Sequence, residues 1–247
     1  MDDRVHINSM YVALWSKAMH QYPWALFISL QLLFSSHLAA SVPVAVGEGL
    51  QGVIGYSDGK LHGSLAPLYE CVFDRADIQP QFIQVPLKRG LGYLHSGEVS
   101  MVLPLAQSER RDRIGEFAGE LFSADYVFVS NRQLPPISET SGLKYGLPRS
   151  FVGEQFITDE NPRIEEVTEW SQLVAMLHYD RLDAVVLPAL LVEDLFGPDV
   201  VKVFQQTAGT LPVSLYLSRA NLDSEDVGKI KRAVRSCRAG DLVSELR

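Results

Sequence analysis

Positive charge is scarce in this 247-residue chain: 22 Lys and Arg face 30 Asp and Glu, leaving a formal net charge of −8. No basic run compensates. A nucleic-acid binder needs clustered cations to displace counterions from phosphate, so nucleic acid and anionic membrane surfaces are poor candidate partners. Cysteine is scarce too, with only Cys71 and Cys237, which excludes a disulfide-dense scaffold. His62, His95 and His178 lie on separate segments with no i,i+4 partner, so no zinc site is expected. There is no GxSxG elbow, internal repeat or low-complexity linker. With 47% hydrophobic and 21% charged residues, the chain has ordinary globular composition, enough for one large domain or two small ones.

Long apolar runs are also missing. Trp24 to Phe34 (WALFISLQLLF) spans eleven residues, interrupted by Ser29 and Gln31, whereas an ordinary membrane anchor needs about 20. Small residues follow, and Ala39-Ala40-Ser41 fits the small-x-small rule for signal peptidase. Residues 1–41 are therefore expected to be a cleaved leader, with Met10 as an alternative start that leaves Lys17 as the n-region cation. A Cys at position 41 would make a lipoprotein signal; Ser41 points to a soluble secreted product. Removing Asp2, Asp3, Arg4 and Lys17 leaves the charge at −8.

Beyond residue 41, strand-like and helix-like segments alternate. VPVAV (42–46), FIQVP (82–86), VSMVLP (99–104), Tyr126 to Val129, KYGLP (144–148), DAVVL (183–187), VVKVF and LPVSLYLS read as strands. Asp58-Gly59 between two short extended pieces signals a type I′ hairpin. Leu65 to Ala76, with Pro67 in its first turn, and LKRGLGYLHSGE read as helices. So do ERRDRIGEF behind a Ser108 N-cap, Ile164 to Tyr179, ALLVEDLFG stopped by Gly197-Pro198, and a last helix capped by Ser224. Short connections predict an α/β fold with mainly parallel sheets.

Two motifs bear on function. Gly47-Glu48-Gly49-Leu50-Gln51-Gly52 is a GxGxxG after a strand, but its continuation carries β-branched residues, another glycine and a hairpin signal. It does not open a helix as a dinucleotide site requires, and reads as a loop allowing close backbone approach. Ser108-Glu109-Arg110-Arg111-Asp112-Arg113 starts a helix at the carboxyl end of a strand, where open α/β sheets bind ligands. Free N–H groups and a guanidinium there match a carboxylate. The plainer alternative is a solvated helix with Glu109 and Arg113 paired at i,i+4.

From GYSDGKLHG through LYECVFDRADIQPQFIQVPLKRGLGYLHSGEVSMVLPLAQSERRDRIGEFAGELF, the chain resembles the family 3 extracellular solute-binding proteins, the polar amino-acid receptors of ABC importers. Ser108-x-x-Arg111 with Phe117 follows the family's T-x-x-R-x5-F spacing. The similarity continues through GLKYGLPRSFVGEQF, DRLDAVVLP and the C-terminal LPVSLYLSRANLDSEDVGKIKRAVRSCRAGD. It implies two α/β lobes, 42–125 plus 213–247 and 126–212, joined by two crossing strands near Tyr126 to Val129 and Leu211 to Tyr216. In that arrangement Cys71 and Cys237 share a lobe, so a disulfide between them becomes feasible. The implied protein is a periplasmic, monomeric receptor without cofactor, metal or catalysis, closing over a small carboxylate-bearing ligand for an ABC permease or a sensor partner. Arg111 would clamp the carboxylate, with Ser108 as an additional donor and Ala106 and Tyr56 beside them.

Departures from the family pattern are equally informative. The second-lobe Gly-Thr or Gly-Ser is here Ser150-Phe151 after Arg149. Those three residues are the expected contacts from that lobe. Pro188 stands where an ammonium-pairing Asp is common, and Val53 or Ile54 replaces a binding aromatic. Glu48 could substitute for the missing Asp if its loop turns inward. Two alternatives keep the scaffold: a diverged sensor or accessory module acting through protein contacts, and an enzyme using Glu48 and Glu154 as acid and base.

Overall fold

The computed structural model describes residues 41–50, 52–200 and 203–238. The leader expected over 1–41 lies outside the described residues except for Ser41. In chain order the fold begins with β1 (Val42–Gly47), the hairpin strands β2 (Gly55–Ser57) and β3 (Lys60–His62), α1 (Ala66–Ala76) and β4 (Pro80–Val85). It continues with α2 (Leu87–Ser96), β5 (Met101–Ala106), α3 (Glu109–Asp112) and β6 (Glu116–Phe117). Next come β7 (Phe122–Ser130), β8 (Lys144–Pro148), β9 (Arg163–Val167), α4 (Trp170–His178), β10 (Ala184–Pro188) and α5 (Val192–Val200). The last described elements are β11 (Phe204–Leu217) and α6 (Ser224–Ser236).

One mixed sheet runs β4-β1-β5-β11-β7-β10-β8-β9, with β6 added onto β11. Its outer ladders are parallel: β4 with β1, β1 with β5, β10 with β8, and β8 with β9. The central ladders, β5 with β11, β11 with β7 and β7 with β10, are antiparallel, which corrects the expectation of mainly parallel sheets. β7 and β11 pair from Phe122 opposite Val213 to Ser130 opposite Phe204, with a register shift between Thr207 and Gly209.

Apolar side chains on either side of this central pair gather into separate cores. Val44, Ile54, Tyr69, Phe73, Leu103, Leu121, Leu215 and Val234 form one; Phe128, Tyr145, Leu147, Leu173, Leu177, Val185, Leu187 and Phe196 belong to another. A disulfide joins Cys71 of α1 to Cys237 just after α6, closing a separation of 166 residues within the first core. Among the described residues no helix is long and apolar enough to cross a membrane.

Local rules account for most elements. Asp58 and Gly59 both have positive φ, +51° and +80°, as a type I′ turn requires. Among the described residues of GxGxxG, Gly47 ends β1, Glu48, Gly49 and Gly52 lie in turns, and none opens a helix.

Several local readings fail for identifiable reasons. The helix expected over ERRDRIGEF stops at Asp112, because the backbone N–H groups of Ile114 and Gly115 turn back onto the Arg111 carbonyl and Glu116-Phe117 pair with β11. The helix expected over Ile164 to Tyr179 divides into β9, laid parallel on β8, and α4. A capping box of Glu169 and Gln172 sets the α4 start at Trp170. LPVSLYLS is not a separate strand: β11 begins at Phe204 and runs to Leu217, paired with β7 from Phe204 to Val213 and with β5 and β6 beyond, while residues 201–202 of VVKVF lie outside the described residues. The last helix is capped by Asp223, whose carboxylate accepts from the N–H groups of Glu225 and Asp226, and not by Ser224.

Candidate functional site

At the carboxyl ends of β1 and β5, where both strands stop short of the second core, the structure encloses a cavity of about 80 Å³. Arg111 supplies its only cation. Ser108 is the N-cap of the four-residue α3, its hydroxyl accepting from the Arg111 N–H at 3.3 Å. Tyr216 fixes this turn from β11: its hydroxyl accepts from the Ser108 N–H at 3.2 Å and donates to the Asp112 carboxylate at 2.8 Å. Burial, together with the Asp112 carboxylate, pushes the Tyr216 hydroxyl pKa up. Arg219 donates to the carbonyls of Asp112 and Arg113. The turn is held from three sides, which leaves the Arg111 side chain few alternatives.

The Arg111 side chain runs inward and is only 4% exposed. One of its terminal nitrogens donates to the Ala106 carbonyl at 2.7 Å, and among the described residues no carboxylate forms an ion pair with it. A buried guanidinium carries five donors and a desolvation penalty of several kcal/mol unless charge and hydrogen bonds offset it. Burial lowers its pKa to about 10, still far above neutrality, so it remains a cation at physiological pH. Tyr126 also lines the cavity; burial raises its hydroxyl pKa to about 12. It therefore stays a donor.

The rest of the lining is apolar, apart from Glu48 at the mouth. The strand side gives Val46, Leu50, Val53, Phe122 and Val213, and the opposite side gives Phe151, Val152, Trp170, Pro188, Leu190 and Leu191. Phe151 and Trp170 meet edge to face with centroids 5.0 Å apart. The Gly47–Gly52 loop touches this opposite side directly. A Cβ on Gly49, whose φ is +78°, would lie 2.9 Å from the Trp170 ring, and one on Gly52 would overlap the Asp194 carboxylate. The glycines permit close backbone approach, and what they approach is the other side of the cavity.

The structure brings some of the expected residues together and separates others. Arg111, Glu48, Ala106 and Phe151 line the cavity. Ser108 and Ser150, with Arg111, Phe151 and Glu154, line a more open groove of about 660 Å³ beside it. Arg149 faces another groove, with Lys88, Arg89 and Thr168. Tyr56 packs on Phe82 at 5.2 Å and lines none of these three spaces. Ser150 has a φ of +65°, a left-handed conformation that glycine adopts more readily. Val53 lines the cavity, while Ile54 is fully buried in the first core. Sequence reasoning did not assign Tyr126, Trp170 or Leu190 to the site. Nothing local marks them, because their apolar positions look the same as core positions until the two sides face each other. Among the described residues no group of His, Cys, Asp or Glu is placed to hold a metal ion.

Comparison with known proteins gives the fold independently. No family model matches the chain, and no curated protein matches its sequence. Solved structures do. An ancestral arginine-binding protein bound to arginine superposes with a TM-score of 0.69 at 20% identity, covering 84% of this chain and 97% of that one. The arginine-, lysine-, histidine-binding protein ArtJ from Geobacillus stearothermophilus gives 0.69 at 16%, covering 83% and 93%. The periplasmic VFT2 domain of Bordetella pertussis BvgS gives 0.69 at 18%, covering 83% and 91%. The fold is the two-lobed α/β architecture of type II periplasmic binding proteins.

Proposed function

We propose that this chain is a periplasmic solute-binding protein that captures a small carboxylate-bearing ligand between its lobes. Lobe 1 is taken as 42–125 plus 213–247 and lobe 2 as 126–212, with β7 and β11 as the crossing strands. The observation that carries this reading is Arg111, buried at a cavity between the two cores with no carboxylate partner among the described residues. A desolvated guanidinium is stable there once a bidentate anion occupies its remaining donors. Its short helix is bolted in place before any ligand arrives, so little ordering is required on binding.

Closure would then be driven by ligand contacts that only the closed form makes. A partner, an ABC permease in this reading, responds to that form. Both the substrate-binding protein of an amino acid ABC transporter and a histidine kinase sensor domain share the architecture, so a sensor kinase is the alternative partner. No chemistry is assigned to the site. Export with cleavage near Ser41, and no lipid attachment, completes the proposal.

A thermal-shift screen of amino acids and small carboxylates tests it. At a hundredfold excess over the dissociation constant, a true ligand stabilises the protein by about 2.7 kcal/mol. Arg111→Ala removes that shift. A ligand that binds the variant unchanged would falsify the site, and a screen with no hit among carboxylates would remove the receptor reading.

A further inference from the structure

We propose that the guest is a small apolar monocarboxylate, an aliphatic acid without an α-ammonium group. This deepens the receptor reading above and rests on it.

The charge inventory of the cavity comes first. Arg111 is its one cation and Glu48 its one carboxylate. A zwitterion needs both a cation and an anion inside the closed cleft, because an unpaired desolvated ammonium is strongly disfavoured. Glu48 is poorly placed for that role. It sits on the turn after β1 and is shared between this cavity and an open groove lined by Gln84, Glu169 and Asp194. No ion pair joins it to Arg111. At the end of β10 the lining residue is Pro188, which has no side-chain acceptor. The Ala106 carbonyl already accepts from Arg111.

The remaining surface matches hydrocarbon. Leu50, Val53, Phe122, Phe151, Trp170 and Leu190 line the same cavity as the guanidinium. Such a wall gains free energy from burying methylenes and offers nothing to hydroxyl, amide or ammonium groups. Tyr126 also lines the cavity, and its hydroxyl, kept protonated by burial, is suited to donate to the second carboxylate oxygen.

Size narrows the class further. Apolar cavities of about 150 Å³ admit benzene. At about 80 Å³ this one is smaller, which fits acids of roughly two to five carbons.

Matched pairs make the test. Calorimetry on the purified protein compares butanoate with 2-aminobutanoate, and 3-methylbutanoate with leucine, using butanamide as the uncharged control. Each acid is expected to bind at least about tenfold tighter than its α-amino partner. The amide should not bind, and Arg111→Met should abolish binding of the acids. Equal or tighter binding of the amino acids, or of polar carboxylates through Arg111, overturns this inference and leaves the receptor reading standing. If neither acids nor amino acids bind, both fall together. The wild-type comparison decides the matter even if the variant folds poorly.

Discussion

The two sides of the cavity differ in kind. The side built from β1, β5 and α3 brings Glu48, the guanidinium and the Ala106 carbonyl, the last two joined by a hydrogen bond. The facing side brings Phe151, Val152, Trp170, Pro188, Leu190 and Leu191, with no charged side chain among them. Only the first carries the disulfide. In the proposed receptor, one lobe would recognise charge, while the other would exclude water and strengthen that recognition by lowering the local dielectric. Specificity can then be divided: the headgroup is read on one side and the tail on the other.

The sharpest way to break this division is to remove the charge. Arg111→Met is expected to weaken carboxylate binding by at least about 2–5 kcal/mol, read as dissociation constants by calorimetry. The unliganded variant should melt no lower than the parent, because an unpaired buried cation is exchanged for an apolar side chain of similar length. A drop in unliganded melting temperature would mean that Arg111 serves the fold more than the guest.

Next in size is the staple. The double change Cys71→Ser and Cys237→Ser should cost about 2–5 kcal/mol in urea denaturation. Hydrogen exchange should rise first in α1 and α6, leaving α4 and β10 protected. Equal loss in both lobes would show that they unfold as one unit.

A smaller effect is expected from the covering side. Leu190 is 39% exposed at the cavity edge, so Leu190→Ala should leave the fold intact. It should weaken binding of a branched acid by about tenfold, and acetate hardly at all. The same loss for both acids would indicate that the covering lobe does not read the tail.

Smallest is the response to pH. Burial lowers the Arg111 pKa to about 10, so the cation persists throughout the neutral range. Affinity for a carboxylate should be flat from about pH 6 to 9 and fall as the guanidinium loses its proton above about 10. A decline near pH 6–7 would point to a different group holding the anion.

How far the sequence revealed this molecule depends on whether a feature is local. The type I′ hairpin at Asp58-Gly59, the limits of β8 and the cavity-facing Arg111 were all legible, because turn chemistry and the order of motifs carry them. The division of Ile164 to Tyr179 was not. Its apolar spacing satisfies a helix, yet β8 offers Ile164 and Val167 a strand edge, and tertiary pairing wins over periodicity. β11 was hidden in the same way, since its continuity depends on β7, many residues earlier in the chain. In the cavity, the half that carries Arg111 could be read from a capped turn bearing arginines. The covering half could not, because Trp170 and Leu190 differ from core residues only in what lies opposite them.

The pairing of Cys71 with Cys237 has a practical corollary. The chain contains no other sulfhydryl, so a single thiol introduced on an exposed residue such as Tyr179 gives one unique attachment point for a dye or a spin label. Two such labels, one on each lobe, would turn capture of a guest into a distance change that can be followed in real time.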